Sequence, residues 1–242
     1  MRAYYRPNPA SPQRTPTDYW DLSTATPQPV FADTFDAGYE NPLDLIRPLD
    51  CGPAYGLRLV HREAPWWAFV FVDGACTNNG RLGAQGGWAV VYGPPTETDP
   101  PKVVSGRLEE KGPLGGPDVE PTSNRAELRA SIAALRLGHW RGDGFQRLVI
   151  ATDSAYVVDG ATSWSRNWVC NGWRNFDGAP VKNRDLWELL LGQVCYWGSQ
   201  GLLVLFWKIP RELNQEADSA AKAASLREFG EPDFMDWVIR EP

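Results

Sequence analysis

The chain has 242 residues, of which 43% are hydrophobic and 22% are charged, as in ordinary globular proteins. No apolar run reaches 18 residues and no secretory signal pattern opens the chain, so we expect neither a membrane span nor export. The formal net charge of −6 excludes a generally basic nucleic-acid coat protein, so any nucleic-acid role must rest on a local site.

The four cysteines are far apart in the sequence and form no CxxC pair. This spacing argues against a structural zinc site and against a disulfide framework, and it favours a reducing compartment. We therefore expect an intracellular protein of the nucleus or cytoplasm, with the mitochondrion as an alternative. Several arginines and no acid precede Asp18, as in a mitochondrial presequence, but four prolines oppose the amphipathic helix that such a signal needs.

Residues 1–64 form a Pro-rich extension that we expect to be partly disordered or packed as an arm. The main domain, 65–226, alternates apolar strands with helical patterns and predicts an α/β fold with a mixed sheet. Residues 227–242 form a C-terminal tail. The predicted strands are 66–73, 86–93, 102–108, 147–153 and 202–209; the predicted helices are 123–140, 185–197 and 214–226, with a Trp-rich helical or irregular segment at 154–176.

Four acids stand where the pattern places an element end or a first helical turn. Asp73 and Asp153 end two apolar strands, while Glu127 and Asp218 lie near the starts of two helices. Each acid alone fits a loop cap or a favourable interaction with a helix dipole. If the two strands are parallel neighbours, however, the carboxylates share one crevice. Like charges ~4 Å apart repel by roughly 4 kcal/mol at an effective dielectric constant of 20, so such a cluster needs protons or a hard cation such as Mg²⁺ or Mn²⁺.

At these positions the sequence resembles the type 1 ribonuclease H family, in particular its eukaryotic branch. The resemblance implies a ribonuclease H-like five-stranded mixed sheet with helices on both faces. It also implies a metal-dependent endonuclease that hydrolyses the RNA strand of RNA–DNA hybrids to 5′-phosphate and 3′-hydroxyl ends. The matching segments, in the family's order, are FVDGACTNNG (71–80), TSNRAEL (122–128), ATDSAYVVDGATSWSRNWVCNGWRN (151–175) and NQEADSAA (214–221).

The same resemblance assigns the four acids as catalytic residues that hold two Mg²⁺ ions, with Mn²⁺ as a substitute. Asp73, Glu127, Asp153 and Asp218 match the family's metal-binding carboxylates, and Asp73 matches the acid that bridges both ions. A two-metal mechanism is therefore expected.

Three residues match positions that read the minor groove and the 2′-hydroxyl of the RNA strand: Cys76, Asn79 and Asn124. An amide can both donate to and accept from a 2′-hydroxyl, which distinguishes RNA from DNA. From the residues alone, Asn79 also fits a turn and Asn124 a helix cap.

Five further residues match contacts to the DNA strand. Tyr156, Trp164 and Trp168 correspond to an aromatic channel, although two tryptophans four residues apart also fit a packing stripe. Thr122 and Asn183 correspond to a phosphate pocket.

Two departures from the family concern charged residues near the site. The loop before the last acid lacks the family's histidine, so Arg211 and Glu212 are candidate substitutes and we expect reduced turnover. The arginine of the phosphate pocket falls on Glu120, which would repel a phosphate unless Arg125 or Arg184 compensates.

Two other departures concern binding regions. The Trp-rich segment has Val169 and Cys170 where lysines are common, leaving Arg166 and Arg174 for phosphate contacts. Fewer such contacts predict a weaker dependence of hybrid binding on salt. Residues 1–64 do not resemble the N-terminal hybrid-binding domain of many eukaryotic relatives.

These departures leave an alternative function open: a catalytically weak or inactive ribonuclease H-like module that binds nucleic acid or protein. Under either interpretation we expect a monomer that binds RNA–DNA hybrid and no membrane. The N-terminal arm and the C-terminal tail are the candidate contacts for a protein partner.

Overall fold

The computed structural model describes residues 31–38, 42–52, 56–115, 118–228 and 234, and in them eight strands form one mixed sheet. Among these residues no helix combines the length and apolar character needed to cross a bilayer. The strands are β1 (Asp33–Thr34), β2 (Ile46–Asp50), β3 (Leu57–His61), β4 (Trp67–Thr77), β5 (Gln85–Gly93), β6 (Lys102–Arg107), β7 (Arg147–Thr152) and β8 (Leu203–Lys208). The helices are α1 (Ser123–Arg136), α2 (Ala155–Asp159), α3 (Ser165–Cys170), α4 (Arg184–Ser199) and α5 (Gln215–Ser225), with a π-helical turn, Gly160–Trp164, between α2 and α3.

The strand order is β1-β8-β7-β4-β3-β2, and β5 pairs with both β4 and β6. The β1–β8, β7–β8 and β4–β7 pairs are parallel, and the remaining pairs are antiparallel. The predicted α/β fold with a mixed sheet is confirmed: all five predicted strands are present as β4 to β8. Three further strands, β1 to β3, come from residues 33–61 and extend this sheet.

Side chains alternate between the two faces of the sheet, and helices cover both. Gly74 of β4 lies under α1, because a Cβ at this position would be 2.1 Å from the backbone nitrogen of Glu127. Gly87 of β5 faces the other way and lies under α5, where a Cβ would be 2.2 Å from the backbone nitrogen of Ser225. Side chains at these two positions would force both helices away from the sheet, so the glycines set the distance at which α1 and α5 pack.

The described residues between 31 and 61, which belong to the predicted arm, extend the sheet and partly cover one of its faces. Phe35 is buried, and its ring lies 5.1 Å from that of Trp207, 5.6 Å from that of Phe69 and 6.1 Å from that of Trp67. These rings belong to an apolar cluster on the face opposite α1 and α4, which the arm partly covers. The first thirty residues of the predicted extension lie outside the described residues.

The C-terminal end of helix α1 differs from the sequence prediction. Helix α1 begins at Ser123, capped by the Thr122 hydroxyl as expected, but it ends at Arg136 instead of residue 140. The reason lies in the turn that follows, where the indole of Trp140 folds back and donates to the carbonyl of Ala134 at 3.1 Å.

In the predicted tail, Phe234 packs over the guanidinium of Arg129 at 4.3 Å. The tail residues 229–233 and 235–242 lie outside the described part.

Candidate active site and nucleic-acid interface

Two of the candidate acids come from neighbouring parallel strands. The β4–β7 register pairs Phe71 with Ala151, and its continuation by two residues sets Asp73 opposite Asp153. At this point β4 has stopped pairing with β7 and continues to pair with β5, so Asp73 lies within β4 whereas Asp153 directly follows β7. The predicted juxtaposition of these two acids at one end of parallel strands is therefore present.

The other two acids come from helices on opposite faces of the sheet. Glu127 is the fifth residue of α1 and lies in its second turn, not the first as expected, because the helix begins at Ser123. The close packing of α1 on Gly74 brings the backbone of Glu127 next to the residue that follows Asp73. Asp218 lies in the first turn of α5, as predicted. Four separate elements thus supply the four carboxylates.

Two side chains that the sequence analysis did not single out hold these acids in place. The Ser154 hydroxyl donates to Glu127, and the Asn214 amide donates both to Asp153 Oδ1 at 3.1 Å and to the carbonyl of Val72 at 3.0 Å. Asn214 precedes α5, where asparagine commonly caps a helix, but its side chain makes no capping hydrogen bond and points into the site instead. Asn214 stands four residues before Asp218, and this proximity is the feature of the sequence that could have identified it as a site residue.

Burial and mutual repulsion weaken the acidity of two of these carboxyls. Burial, followed by the charges of Asp153, Asp218 and Glu127, raises the pKa of Asp73 to about 7, against a smaller lowering by the Gly74 backbone N–H. Burial also raises the pKa of Glu127 to about 7, although the Ser154 hydrogen bond lowers it in part. The acids therefore repel one another across a shared site, as the clustering argument requires.

Basic side chains contact one edge of this acidic site. Arg211 donates to Asp218 Oδ1 at 2.8 Å and lies 4.0 Å from Asp153 Oδ2, while Lys222 donates to Asp218 Oδ2 at 2.7 Å. Burial alone would raise the pKa of Asp218, but the hydrogen bonds from Lys222 and Arg211 lower it below its ordinary value. Glu212 follows Arg211 in the 3-10 turn Arg211–Leu213 that precedes α5.

The donor chemistry of the site fits hard divalent cations, because buried carboxylates that repel one another are stabilised by such an ion. Among the described residues, no three His, Cys, Asp or Glu side chains converge tightly enough to hold a metal ion as they stand. The four acids are coupled through their charges, and Asp218 is directed toward two basic side chains.

The residues matched to 2′-hydroxyl recognition gather near the N-terminus of α1. Cys76 Sγ lies 3.5 Å from the carbonyl of Pro121, and Asn79 Oδ1 accepts from the backbone N–H of Ser123 at 3.2 Å. Asn124 is exposed in the first turn of the helix. These contacts join the end of β4 to the start of α1, so one surface presents all three side chains.

The matched aromatic residues form a group along α2, the π-helical turn and α3. The ring of Trp164 lies 6.2 Å from that of Tyr156 and 5.8 Å from that of Trp168. Trp164 is 40% exposed whereas Trp168 is 8% exposed, so Trp164 presents the accessible ring and Trp168 supports it. Gly160, the first residue of the π-helical turn, packs so closely on the buried ring of Trp187 that a Cβ would lie 2.2 Å from it.

The matched phosphate-pocket residues are tied into a polar network. Thr122 accepts from the backbone N–H of Arg125, so its hydroxyl also caps α1. The Arg125 guanidinium reaches Asn183 Oδ1 at 3.4 Å and forms a bidentate pair with Asp185 at 3.0 and 2.7 Å. Asn183 has a positive φ of 58° and donates to the hydroxyl of Tyr156 at 3.3 Å. Thr122 and Asn183 thus both contact Arg125, one of the two arginines expected to compensate for Glu120, and the pairing of this arginine with Asp185 is the feature that the sequence did not reveal.

Both arginines expected to contact phosphates from the Trp-rich segment have partners within the chain. Arg166 lies 3.3 Å from Asp33 of the arm and over the ring of Phe31 at 4.9 Å. Arg174 donates to the carbonyl of Gly178 at 2.7 Å. The exposed ion pair with Asp33 offsets part of the charge of Arg166, whereas Arg174 bonds a neutral carbonyl and keeps its full charge.

Comparisons with known proteins match the part of the chain that carries these residues. A family model described as RNase H matches residues 67–225. The ribonuclease H of Paracoccus denitrificans is 38% identical over 123 residues, which cover 50% of this chain and 69% of that protein. The ribonuclease H of Dinoroseobacter shibae is 39% identical over 122 residues, covering 50% and 68% of the two chains. A solved structure of a type 1 RNase H with the type 2 active-site motif shares 28% identity at a TM-score of 0.47, covering 71% of this chain and 77% of that one.

Proposed function

The chain belongs to the ribonuclease H family, and from this premise we propose that its four-acid site cleaves the RNA strand of RNA–DNA hybrids with two divalent ions. The observation that carries this proposal is the gathering of Asp73, Glu127, Asp153 and Asp218 from four elements into one charge-coupled site. When bound, the ions supply an activated water and neutralise charge at the scissile phosphate. The products carry 5′-phosphate and 3′-hydroxyl ends.

The side chains around the acids have distinct tasks in this proposal. Asn214 and Ser154 orient Asp153 and Glu127 through the hydrogen bonds described above. Of the two candidate substitutes for the missing histidine, we favour Arg211, because its guanidinium contacts Asp218 and approaches Asp153. A guanidinium can stabilise negative charge but does not exchange protons near neutral pH, so we expect slower turnover than a histidine would support.

Substrate recognition uses the surfaces on both sides of the acids. Cys76, Asn79 and Asn124 face the RNA strand and read its 2′-hydroxyls. The exposed ring of Trp164 offers a stacking surface to the DNA strand, and Asn183 with Thr122 receives one of its phosphates. Arg125 contacts both residues, but its charge is paired with Asp185, so it compensates only in part for Glu120 at the position of the family's arginine.

The finer assignments belong to the same proposal. We assign the chain to type 1, with a catalytic domain at 65–226, an arm that precedes it and no hybrid-binding domain in the first 64 residues. Mg²⁺ is the expected metal, Mn²⁺ a substitute, and a monomer the expected state. The wide spacing of the four cysteines, with no CxxC pair, favours a reducing intracellular compartment.

A cleavage assay tests the proposal. A labelled RNA–DNA hybrid is incubated with Mg²⁺ or Mn²⁺ beside single-stranded RNA, double-stranded RNA and the Asp73→Asn variant. We expect cleavage of the hybrid alone, lost in the variant. A folded sample that cleaves nothing with either metal refutes the proposal and favours the binding-module alternative.

A further inference from the structure

Asp218 differs from the other site acids in that each of its two oxygens has its own cationic donor. Lys222 Nζ donates to Oδ2 at 2.7 Å, and Arg211 Nη2 donates to Oδ1 at 2.8 Å. By contrast, Asp153 Oδ1 receives the neutral amide of Asn214, and Glu127 receives the neutral hydroxyl of Ser154. The positive charge at the site is therefore concentrated on Asp218.

The two cations are held differently. Arg211 comes from the 3-10 turn before α5 and spans two acids, since it also approaches Asp153 at 4.0 Å. Lys222 lies one helical turn beyond Asp218 on α5, so the helix fixes its Cα and only its side chain can withdraw. Because that side chain is 55% exposed, a change of rotamer can move its ammonium group away from Asp218 and into water.

We propose that Lys222 competes with a divalent cation for Asp218 and thereby sets the metal concentration at which the site fills. This inference rests on the proposed function, in which Asp218 is a metal ligand. An oxygen that accepts a hydrogen bond from an ammonium group must release that bond before it can coordinate a metal ion. The lysine also offsets the repulsion between Asp218 and Asp73 when no metal is bound.

Metal affinity, measured without substrate, tests this role. Titration calorimetry on the full chain at constant low salt uses Mg²⁺ and Ca²⁺ as probes, with the parent and the Lys222→Gln variant. Removing a unit positive charge next to a divalent ion should tighten metal binding by about fivefold, after discounting for solvent exposure. The Lys222→Arg variant keeps the charge and should bind metal as the parent does.

A matched control separates this effect from the general loss of a surface ion pair. Arg184 and Glu188 form the same i,i+4 pair at 2.8 Å on α4, and Arg184→Gln should leave the metal affinity unchanged. Unchanged or weaker metal binding in Lys222→Gln, with melting curves showing a folded variant, overturns the proposed competition. A parent that binds neither ion refutes the metal-dependent function itself, and the role of Lys222 with it.

Discussion

Replacing Asp73 with asparagine should abolish cleavage and at the same time stabilise the metal-free protein. Burial, and then the charges of three other acids, raises the pKa of this carboxyl to about 7. Asparagine has nearly the same shape and no charge, so it removes the repulsion and can still accept the hydrogen bond from the Gly74 backbone. Loss of function and gain of stability then have one cause.

The size of the stabilisation follows from the pKa. A carboxyl whose pKa rises from about 4 in the unfolded chain to about 7 in the folded one costs ~4 kcal/mol at pH 8. Neighbouring acids share part of this cost, and a buried amide is also desolvated, so we expect a gain of about 2 kcal/mol. For a chain of this size that corresponds to a rise in melting temperature of roughly 4–8 °C.

The pH dependence has a defined sign. Between about pH 4 and pH 7 the folded state binds more protons at Asp73 and Glu127 than the unfolded state does. The contribution of these groups to stability therefore increases as pH falls from 8 to 5. The advantage of Asp73→Asn should be large at pH 8 and should shrink at pH 5, where the parent carboxyl is already protonated.

Thermal melting in a chelator at both pH values checks this reasoning, with Asp177→Asn on an exposed turn as the control. Adding Mg²⁺ should then raise the melting temperature of the parent and have less effect on the variant. A variant that melts at or below the parent temperature at pH 8 contradicts the repulsion argument. A variant that cleaves hybrid at the parent rate refutes the assignment of Asp73.

The remaining predictions concern three other side chains. Asn214→Ala should lower the free energy of unfolding by about 2 kcal/mol, because Asp153 loses its hydrogen-bond partner. For the same reason the variant should lower kcat more than it changes KM. Melting curves and steady-state kinetics check these two effects. Trp164→Ala should weaken hybrid binding about tenfold by loss of stacking, as measured by titration in the Asp73→Asn background, while the melting temperature stays within a few degrees. Phe35→Ala should destabilise the protein by about 3 kcal/mol without changing the KM for hybrid, as chemical denaturation and kinetics can show.

The main elements of the catalytic region could be predicted because their signals are local. Asp73 and Asp153 each end an apolar run, and Glu127 and Asp218 each follow a helix start. Period and position therefore placed each acid near an element end or a helix start, and the resemblance to the ribonuclease H family grouped the four as one site. Two details differ from the prediction: Asp73 lies within β4 instead of ending it, and Glu127 lies in the second turn of α1 instead of the first. Both depend on where an element begins or ends, and element ends are the least certain part of such a prediction.

The features that the sequence did not reveal depend on tertiary contacts. Strands of two to five residues, one of them containing Pro48, carry too little alternation to be recognised in the arm. Asn214 binds Asp153 instead of capping α5. This choice depends on the position of the end of β7 in the folded chain, which the local sequence around Asn214 does not specify. The pair between Arg125 and Asp185 joins residues sixty positions apart, and nothing local specifies that partner.

The packing of Phe35 has a consequence for defining a minimal enzyme. The region that matches the family model begins at residue 67, yet the apolar face formed by Phe69, Trp207 and their neighbours is covered by residues that come before it. A fragment cut at the start of the match would keep all four candidate acids while exposing this face and the β8 edge that β1 now occupies. Such a fragment would contain the whole candidate site but should self-associate. The segment that folds as a stable unit in this chain is therefore longer than the region that matches the family model.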